Sequence, residues 1–467
     1  MARLVIVSNR VALPGERTQR AGGLAVALAD ALVPGSLWFG WSGQRAEATA
    51  RTANILSANG ITYATIDLGE ADYRRYYAGF ANGALWPLLH FRLGLMRFRA
   101  EEYEGYRSVN RAFAAALAPL LGPDDLIWVH DYQLLSLPAE LRAQGVNNRI
   151  GFFLHIPFTP PVITEVLPRA AELLAGLAAA DVVGFQTVRD RDAFAACAEA
   201  LLEARRLDTD TLALGEHRLR AVAVPIGIDA TGFTQEAARA ARRVEARRLT
   251  ESLQGRALVI GVDRLDDSKG LPQRFAAFAR LLERHPVHRR KVSLLQVAAR
   301  SREDVERYQA LRRELDRLAG DTNGQYAEFD WAPLRYITRP LSRRTLAGFF
   351  RLARVGLVTP LRDGMNLVAK EYVAAQNPAD PGVLVLSRFA GAACELSEAL
   401  LVNPFDTDEQ TEAIHAALEM DIEERRARHH ALRERVFTNT AALWCQRFLA
   451  ALAARPTVRI ERCARPV

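Results

Sequence analysis

Gly356-Leu-Val-Thr-Pro-Leu-Arg-Asp-Gly-Met-Asn-Leu-Val-Ala-Lys-Glu-Tyr-Val-Ala-Ala-Gln376 changes its hydrophobic period part-way along. Arg354 to Val358 reads as a buried strand, Asp363-Gly364 as a turn, and Met365 to Ala375 as an apolar-periodic helix. A strand, a tight turn and a helix leave unpaired N–H groups at the helix start, where the helix dipole favours a phosphate. A diphosphate suits that position. Asp363, at the mouth, carries acceptor oxygens for sugar hydroxyls, and Glu371, in the second turn, is placed to take a ribose diol as the acidic residue of dinucleotide folds does. On this pattern alone an Asp cap followed by a solvent-facing Glu explains the residues equally well, so the rest of the chain decides.

At 467 residues the chain exceeds what one hydrophobic core serves, and two domains of roughly 200 residues are expected. Apolar residues at 49% and charged residues at 25% exclude long disorder. The formal charge is +7, and only three of the 61 basic side chains are lysines, Lys269, Lys291 and Lys370. A modest basic excess suits an anionic small-molecule substrate. There is no basic helix with interleaved aromatics and no zinc-finger spacing, so no nucleic-acid partner is expected. The cysteines, Cys197, Cys394, Cys445 and Cys463, are scattered without a Cys-x-x-Cys, and no histidines cluster at ligand spacing. This reads as a reducing cytoplasm, with no metal and no cofactor. Met1-Ala-Arg-Leu-Val-Ile-Val-Ser enters a strand at once, too short for a signal segment or a membrane span, so no membrane partner is expected. Homo-oligomerisation stays open.

In order, Arg3 to Ser8 forms a first strand ending in Ser8-Asn9-Arg10, and Ala21-Gly22-Gly23 opens a helix over Leu24 to Leu32. Trp38 reads as core, whereas Trp41, taken to lie past the end of its strand, is the better pocket candidate. Tyr73 to His90 is aromatic without clear alternation, and Glu101 to Leu121 is helical. Leu126 to Tyr132 and Arg149 to Pro157 read as buried strands ending in His130-Asp131 and in His155, where open α/β sheets place ligands. Asp181 to Thr187 and Ala221 to Asp229 supply two more. Ala230 to Gly255 is a charged helical crossing to a second domain. There Arg256 to Val262 leads to Arg264 and Lys269, and Lys291 to Val297 leads to Arg300-Ser301-Arg302 and a helix over Glu303 to Leu318. In a parallel sheet Arg264, Lys269 and the helix start near Asn366 lie at one edge and converge on one diphosphate.

Leu4-Val-Ile-Val-Ser-Asn-Arg10, Ala21-Gly-Gly-Leu24, Trp38-Phe-Gly-Trp41-Ser-Gly43, His130-Asp-Tyr132, Gly151-Phe-Phe-Leu-His155-Ile-Pro157, Arg264-Leu-Asp, Ser268-Lys-Gly270 and Val358 to Glu371 together resemble the trehalose-6-phosphate synthase family, glycosyltransferase family 20. The resemblance runs from about Arg3 to Phe448. It implies an α/β fold of the GT-B type, two Rossmann-like doubly wound parallel-sheet domains facing across a cleft. The boundaries expected are 1–235 for an acceptor domain, 236–440 for a donor domain, and 441–467 for a helix and tail packing back on the first. The implied reaction moves glucose from UDP-glucose to glucose 6-phosphate with retention and without a metal, giving α,α-trehalose 6-phosphate.

Carried over by position, the resemblance gives Arg10, Trp41, Tyr77, Trp86, Asp131 and Arg302 to the glucose 6-phosphate. It gives Gly23, Arg264, Lys269, Gly364, Met365, Asn366, Leu367, Val368 and Glu371 to the UDP-glucose, and His155 and Asp363 to the transferred glucose. His155, Asp363, Arg264 and Lys269 are the implied catalytic set. Gln133, Asp267 and Thr159 depart from the family pattern without touching an implied contact. Ala298-Ala299-Arg300 also departs from it, which leaves Arg300 an alternative to Arg302. A relative with another acceptor such as glycerol 3-phosphate, one with ADP- or GDP-glucose as donor, and a silent nucleotide-sugar-binding homologue are the competing readings. The acceptor-side residues and the intact catalytic set count against the first and the last.

Overall fold

The computed structural model describes residues 3–15, 32–299 and 306–454. Among the described residues, sixteen strands form two sheets. The first contains β1 Leu4–Arg10, β2 Leu37–Ala46, β3 Asn54–Ala58, β4 Ile61–Gly69, β5 Leu126–His130, β6 Ile150–Phe153, β7 Val182–Phe185, β8 Arg205–Arg206, β9 Thr211–Leu214 and β10 His217–Ala223, in the order β3-β4-β2-β1-β5-β6-β7-β10-β9-β8. The second contains β11 Ala257–Arg264, β12 Val292–Ala299, β13 Leu334–Ile337, β14 Val355–Val358, β15 Val383–Ser387 and β16 Leu400–Val402, in the order β13-β12-β11-β14-β15-β16. Every pairing in the second sheet is parallel. In the first, only the edges that hold β3, β8 and β9 turn antiparallel.

The short apolar runs of the sequence become central strands because both faces of each sheet are covered, so neither alternate set of side chains meets water. On β1, Val5 and Val7 enter one core while Leu4 and Ile6 enter another. On β11, Leu258 and Ile260 join that second core, and Val259 joins a third beneath the second sheet. The middle core is therefore shared by both sheets. The last helix, Ala441–Ala453, packs into it: Phe448 stacks on Trp128 at 4.8 Å between ring centres, and Trp444 meets Phe153 edge-on. Gly151 and Gly184 admit the Phe448 ring, since a Cβ on either would come within 2.8 Å of it. This is the GT-B arrangement of two doubly wound sheets.

Each sheet reverses its winding once, between β1 and β5 in the first and between β11 and β14 in the second. Ligands of such sheets bind outside the carboxyl ends of the strands at that reversal. Gly364 shows that the two ends meet: a Cβ there would lie 2.1 Å from the carbonyl oxygen of His155, which follows β6 of the first sheet.

Several elements differ from the sequence reading. Trp41 does not lie past a strand end; β2 continues to Ala46, and the indole is buried against Tyr73 and Tyr77 with its N–H donated to the Gln44 carbonyl at 2.6 Å. The strand expected over Ala221 to Asp229 stops at Ala223, two residues before Pro225, which has no N–H for a ladder. The aromatic stretch after Tyr73 is wound as a π-helix over Arg74–Leu85. The helix expected over Glu303 to Leu318 runs from Glu306 to Tyr326 among the described residues. The opening helix begins at Leu367 rather than Met365, because Asn366 takes a left-handed conformation, φ 71°, and ends the turn there.

Candidate active site

Asp363, the acidic residue of the opening motif, does not cap the helix. Its Oδ2 accepts hydrogen bonds from Lys269 Nζ at 2.5 Å and from Asn366 Nδ2 at 3.1 Å. Both ion-pair partners are nearly buried. Lys269 reaches this point because Gly270 turns the chain at φ 65°, tight against the Thr359 carbonyl, and because the Leu361 N–H is tied to the Ser268 carbonyl. The loops after β11 and β14 are thus bolted together beside the free N–H groups of the helix Leu367–Ala375. Met365 is buried against that loop, while Leu367 and Val368 are partly open at the helix start.

Across the cleft, Trp86 Nε1 donates to Asp266 Oδ1 at 3.3 Å, and the Arg264 guanidinium lies over the Trp86 ring, 5.5 Å from its centre. Trp86 also stacks on His90 at 4.0 Å, and burial brings the His90 pKa down to about 4. Tyr77 is half-buried and stacks on Tyr73. Arg10, at the exposed end of β1, lies against Gly43, where a Cβ would meet the guanidinium at 2.8 Å. Asp131 holds φ 76° and ψ 165°, a backbone region rarely populated by residues other than glycine, and its Oδ1 accepts from the His155 N–H at 3.3 Å. Backbone strain of this kind persists where the surroundings enforce it, and it concentrates at ligand sites.

The tautomer of His155 follows from its neighbours. Gln186 Oε1 accepts from the Ile226 N–H at 2.9 Å, so its amide nitrogen faces His155 Nδ1, 3.3 Å away. An amide nitrogen only donates, hence Nδ1 accepts and the ring proton sits on Nε2. That proton points at His130 Nδ1, 3.1 Å away. Burial holds the His155 pKa down at about 3 and that of His130 well below its ordinary value, so both rings are neutral. With both ring nitrogens engaged inside the protein, the part of His155 turned toward the other sheet is its carbonyl, beside Gly364.

Glu371 is neither solvent-facing nor free. Its Oε1 accepts from Arg343 Nε at 3.2 Å, and burial raises its pKa against the lowering pull of that guanidinium. Arg343 also lines a cavity of about 570 Å³ with Phe233, Glu236 and Ser342.

The structure therefore brings Arg264, Lys269, Asp363, Gly364, Asn366, Trp86 and His155 to one cleft. Gly23 and Arg302, together with Arg300 and Ser301, lie outside the described residues. Three contributors escaped the sequence reading. Arg274, fully buried, ties Asp263 at 2.5 Å, Gln296 at 2.8 Å and Thr359 at 3.1 Å into one network under the cation loop. Gln186 sets the His155 tautomer, and Arg343 neutralises Glu371. Only Gln186 had a sequence signal, since it ends an apolar run just as His130 and His155 do.

The profile of glycosyltransferase family 20 matches residues 3–454. The chain belongs to that family. It is 48% identical, over 99% of its length and all of the relative's, to a trehalose-6-phosphate synthase of Sinorhizobium fredii. Among solved structures it superposes with a TM-score of 0.93 on a UDP-forming α,α-trehalose-phosphate synthase of Burkholderia xenovorans in complex with glucose-6-phosphate, 45% identical and covering 97% and 100% of the two chains. An Escherichia coli trehalose-6-phosphate family structure bound with UDP-2-fluoro glucose gives a TM-score of 0.92, at 45% identity over 97% and 99% of the chains. At these identities the family likeness covers both sheets and the cleft between them.

Proposed function

We propose that this chain transfers glucose from UDP-glucose to glucose 6-phosphate with retention, forming α,α-trehalose 6-phosphate and UDP. The observation that carries this reading is the Lys269–Asp363–Asn366 cluster at a helix start, where the reversal points of two doubly wound sheets meet. The relatives' names supply the substrates.

In this reading the donor diphosphate takes the place at the helix start, held by Arg264, Lys269, the Gly23 backbone and the N–H groups of Asn366 and Leu367. Gly364, Met365 and Val368 shape the wall, and Glu371 takes the ribose once Arg343 has turned toward its cavity. Asp363 and the His155 carbonyl orient the transferred glucose. Arg10, Trp41, Tyr77, Trp86, Asp131 and Arg302 serve the acceptor; Trp41, buried behind Tyr77, acts through that ring rather than by contact. The acceptor's anomeric oxygen bonds to the donor C1 on the face from which the diphosphate leaves. As the bond from C1 to the diphosphate oxygen breaks, the acceptor proton passes to the departing phosphate oxygen. Charge grows on the diphosphate, and preorganised cations and N–H groups stabilise it more in the transition state than in the ground state. These cations perform the task a metal performs in other transferases. A cytoplasmic location belongs to the same reading, supported by Cys197, Cys394 and Cys445 being free thiols.

The test is nucleotide release from UDP-, ADP- and GDP-glucose with glucose 6-phosphate or glycerol 3-phosphate. UDP release that depends on glucose 6-phosphate is expected. A preference for glycerol 3-phosphate would transfer the chain to another acceptor class, and no turnover with any pair would make it a silent binder.

A further inference from the structure

The helix Leu271–Arg284 starts beside Lys269 and ends 14 residues on, about 21 Å away at 1.5 Å per residue. At that far end a second group of chemically capable side chains collects. His285 and His288 follow the helix, and the neighbouring helix Thr407–Glu419 presents Glu412, His415 and Glu419. His288 Nε2 lies 2.8 Å from His415 Nδ1, and His288 Nδ1 lies 3.9 Å from Glu419 Oε1. One donor atom from each of His288, His415 and Glu419 lies within 4.8 Å of the other two.

We propose that His288, His415 and Glu419 form a structural site for a divalent transition metal of the zinc type, away from the catalytic cleft. Two imidazoles and one carboxylate suit borderline ions such as zinc, nickel or copper; magnesium and calcium prefer all-oxygen sets. With metal–ligand bonds of about 2.0–2.1 Å, tetrahedral donors stand about 3.3 Å apart. The two ring nitrogens therefore separate by about half an ångström, and the exposed Glu419 swings inward from the last turn of its helix. The ring that donates in the present hydrogen bond moves its proton to its other nitrogen, so both imidazoles stay neutral and each offers a lone pair. Water takes the fourth position.

The supports of the site are already in place. His288 is buried, and the His285 ring lies flat on His415 at 3.8 Å and 10°, with His285 Nε2 held 3.1 Å from Glu412 Oε1. A ligand ring fixed by stacking and by an anchored neighbour loses little freedom on binding, the usual benefit of an outer shell. The metal would staple the segment before β12 to the helix after β16, beside the ion pairs of Arg284 with Asp408 and Glu412. Spacing along the chain conceals the site, because His288 and His415 are 127 residues apart.

The full chain, stripped with chelator and dialysed, is titrated with zinc chloride and followed by calorimetry and by thermal melting. One equivalent bound, with a higher melting temperature, is expected. His415→Gln and Glu419→Gln, both on an accessible helix face, should each weaken binding at least tenfold and abolish the thermal shift. His285→Ala should weaken it about tenfold through the lost stack. His430→Gln, on an exposed surface elsewhere, serves as the control. Zinc binding that survives His415→Gln and Glu419→Gln unchanged, or no binding by the folded chain, overturns the proposal.

Discussion

Lys269 Nζ lies 2.5 Å from Asp363 Oδ2, although the two residues follow different strands, β11 and β14. The carboxylate holds the ammonium at the helix start and leaves it able to turn toward a diphosphate. Lys269→Ala should therefore lower kcat by about 10²–10³, roughly 2.7–4 kcal/mol, with a smaller change in donor KM. Steady-state kinetics with UDP-glucose varied check this; a change confined to KM would give Lys269 a role in binding alone.

Glu371 is half-buried and already paired with Arg343. Glu371→Gln should raise the donor KM by a factor equivalent to about 1.5–3 kcal/mol, the worth of a charge-assisted hydrogen bond, and leave the acceptor KM unaltered. An unchanged donor KM would remove Glu371 from the ribose site and leave it as the partner of Arg343.

Three histidines with lowered pKa values, His90, His130 and His155, predict acid sensitivity. Burial lowers the folded pKa of His90 to about 4 and of His155 to about 3, from 6.5 in each case, and His130 shifts in the same direction. A depressed folded pKa contributes stability above the unfolded value, and this is lost as pH falls through the window between the two. Each histidine should then cost about 1.4 kcal/mol per pH unit below 6.5 until its folded pKa is reached. Urea midpoints measured from pH 7 to pH 4.5 test this. His90→Gln should reduce the slope by one proton; an identical slope would show that other groups control it.

Arg302 and Arg300 separate by register. Both follow β12 in the sequence, and in the proposed reading it is Arg302 that serves the acceptor phosphate, because the family motif aligned from Arg264 and Lys269 without a gap falls there. Arg302→Ala should raise the KM for glucose 6-phosphate by a factor equivalent to roughly 2–4 kcal/mol, and Arg300→Ala should change it little. A larger effect at Arg300 would move the register by two residues and the acceptor contacts with it.

Much of this fold is legible because a buried parallel strand has to be apolar on both faces, and runs such as Leu126 to His130 and Lys291 to Val297 have few alternatives. The polar residues at their ends, His130, His155 and Arg264, mark the cleft for the same reason. Trp41 lies inside its strand because an apolar run does not show where a strand stops: β2 passes through Ser42 and Gly43 across a shift of register and pairs again at Arg45 and Ala46. Arg274, Arg343 and the His288–His415 pair have no local signature. Their significance arises from partners between 11 and 127 residues away, and only folding brings those partners together.

Gly364 offers a test of the contact between the two sheets. A Cβ there would stand 2.1 Å from the His155 carbonyl oxygen and 2.9 Å from Ile156 Cα, both fixed main-chain atoms. The His155 ring cannot yield readily, since Gln186 and His130 hold both of its nitrogens. Gly364→Ala therefore has to open the seam between the loop after β14 and the segment after β6. Overpacking of this kind costs about 1–3 kcal/mol of stability. Displacing the transferred sugar by about 1 Å costs about 10²-fold in rate. The expected outcome is a folded protein, melting a few degrees lower, with kcat reduced about a hundredfold and nucleotide affinity nearly retained, read by calorimetric titration of UDP beside the kinetics. If kcat is unchanged while stability falls, the His155–Gly364 contact joins the sheets without positioning the reacting sugar.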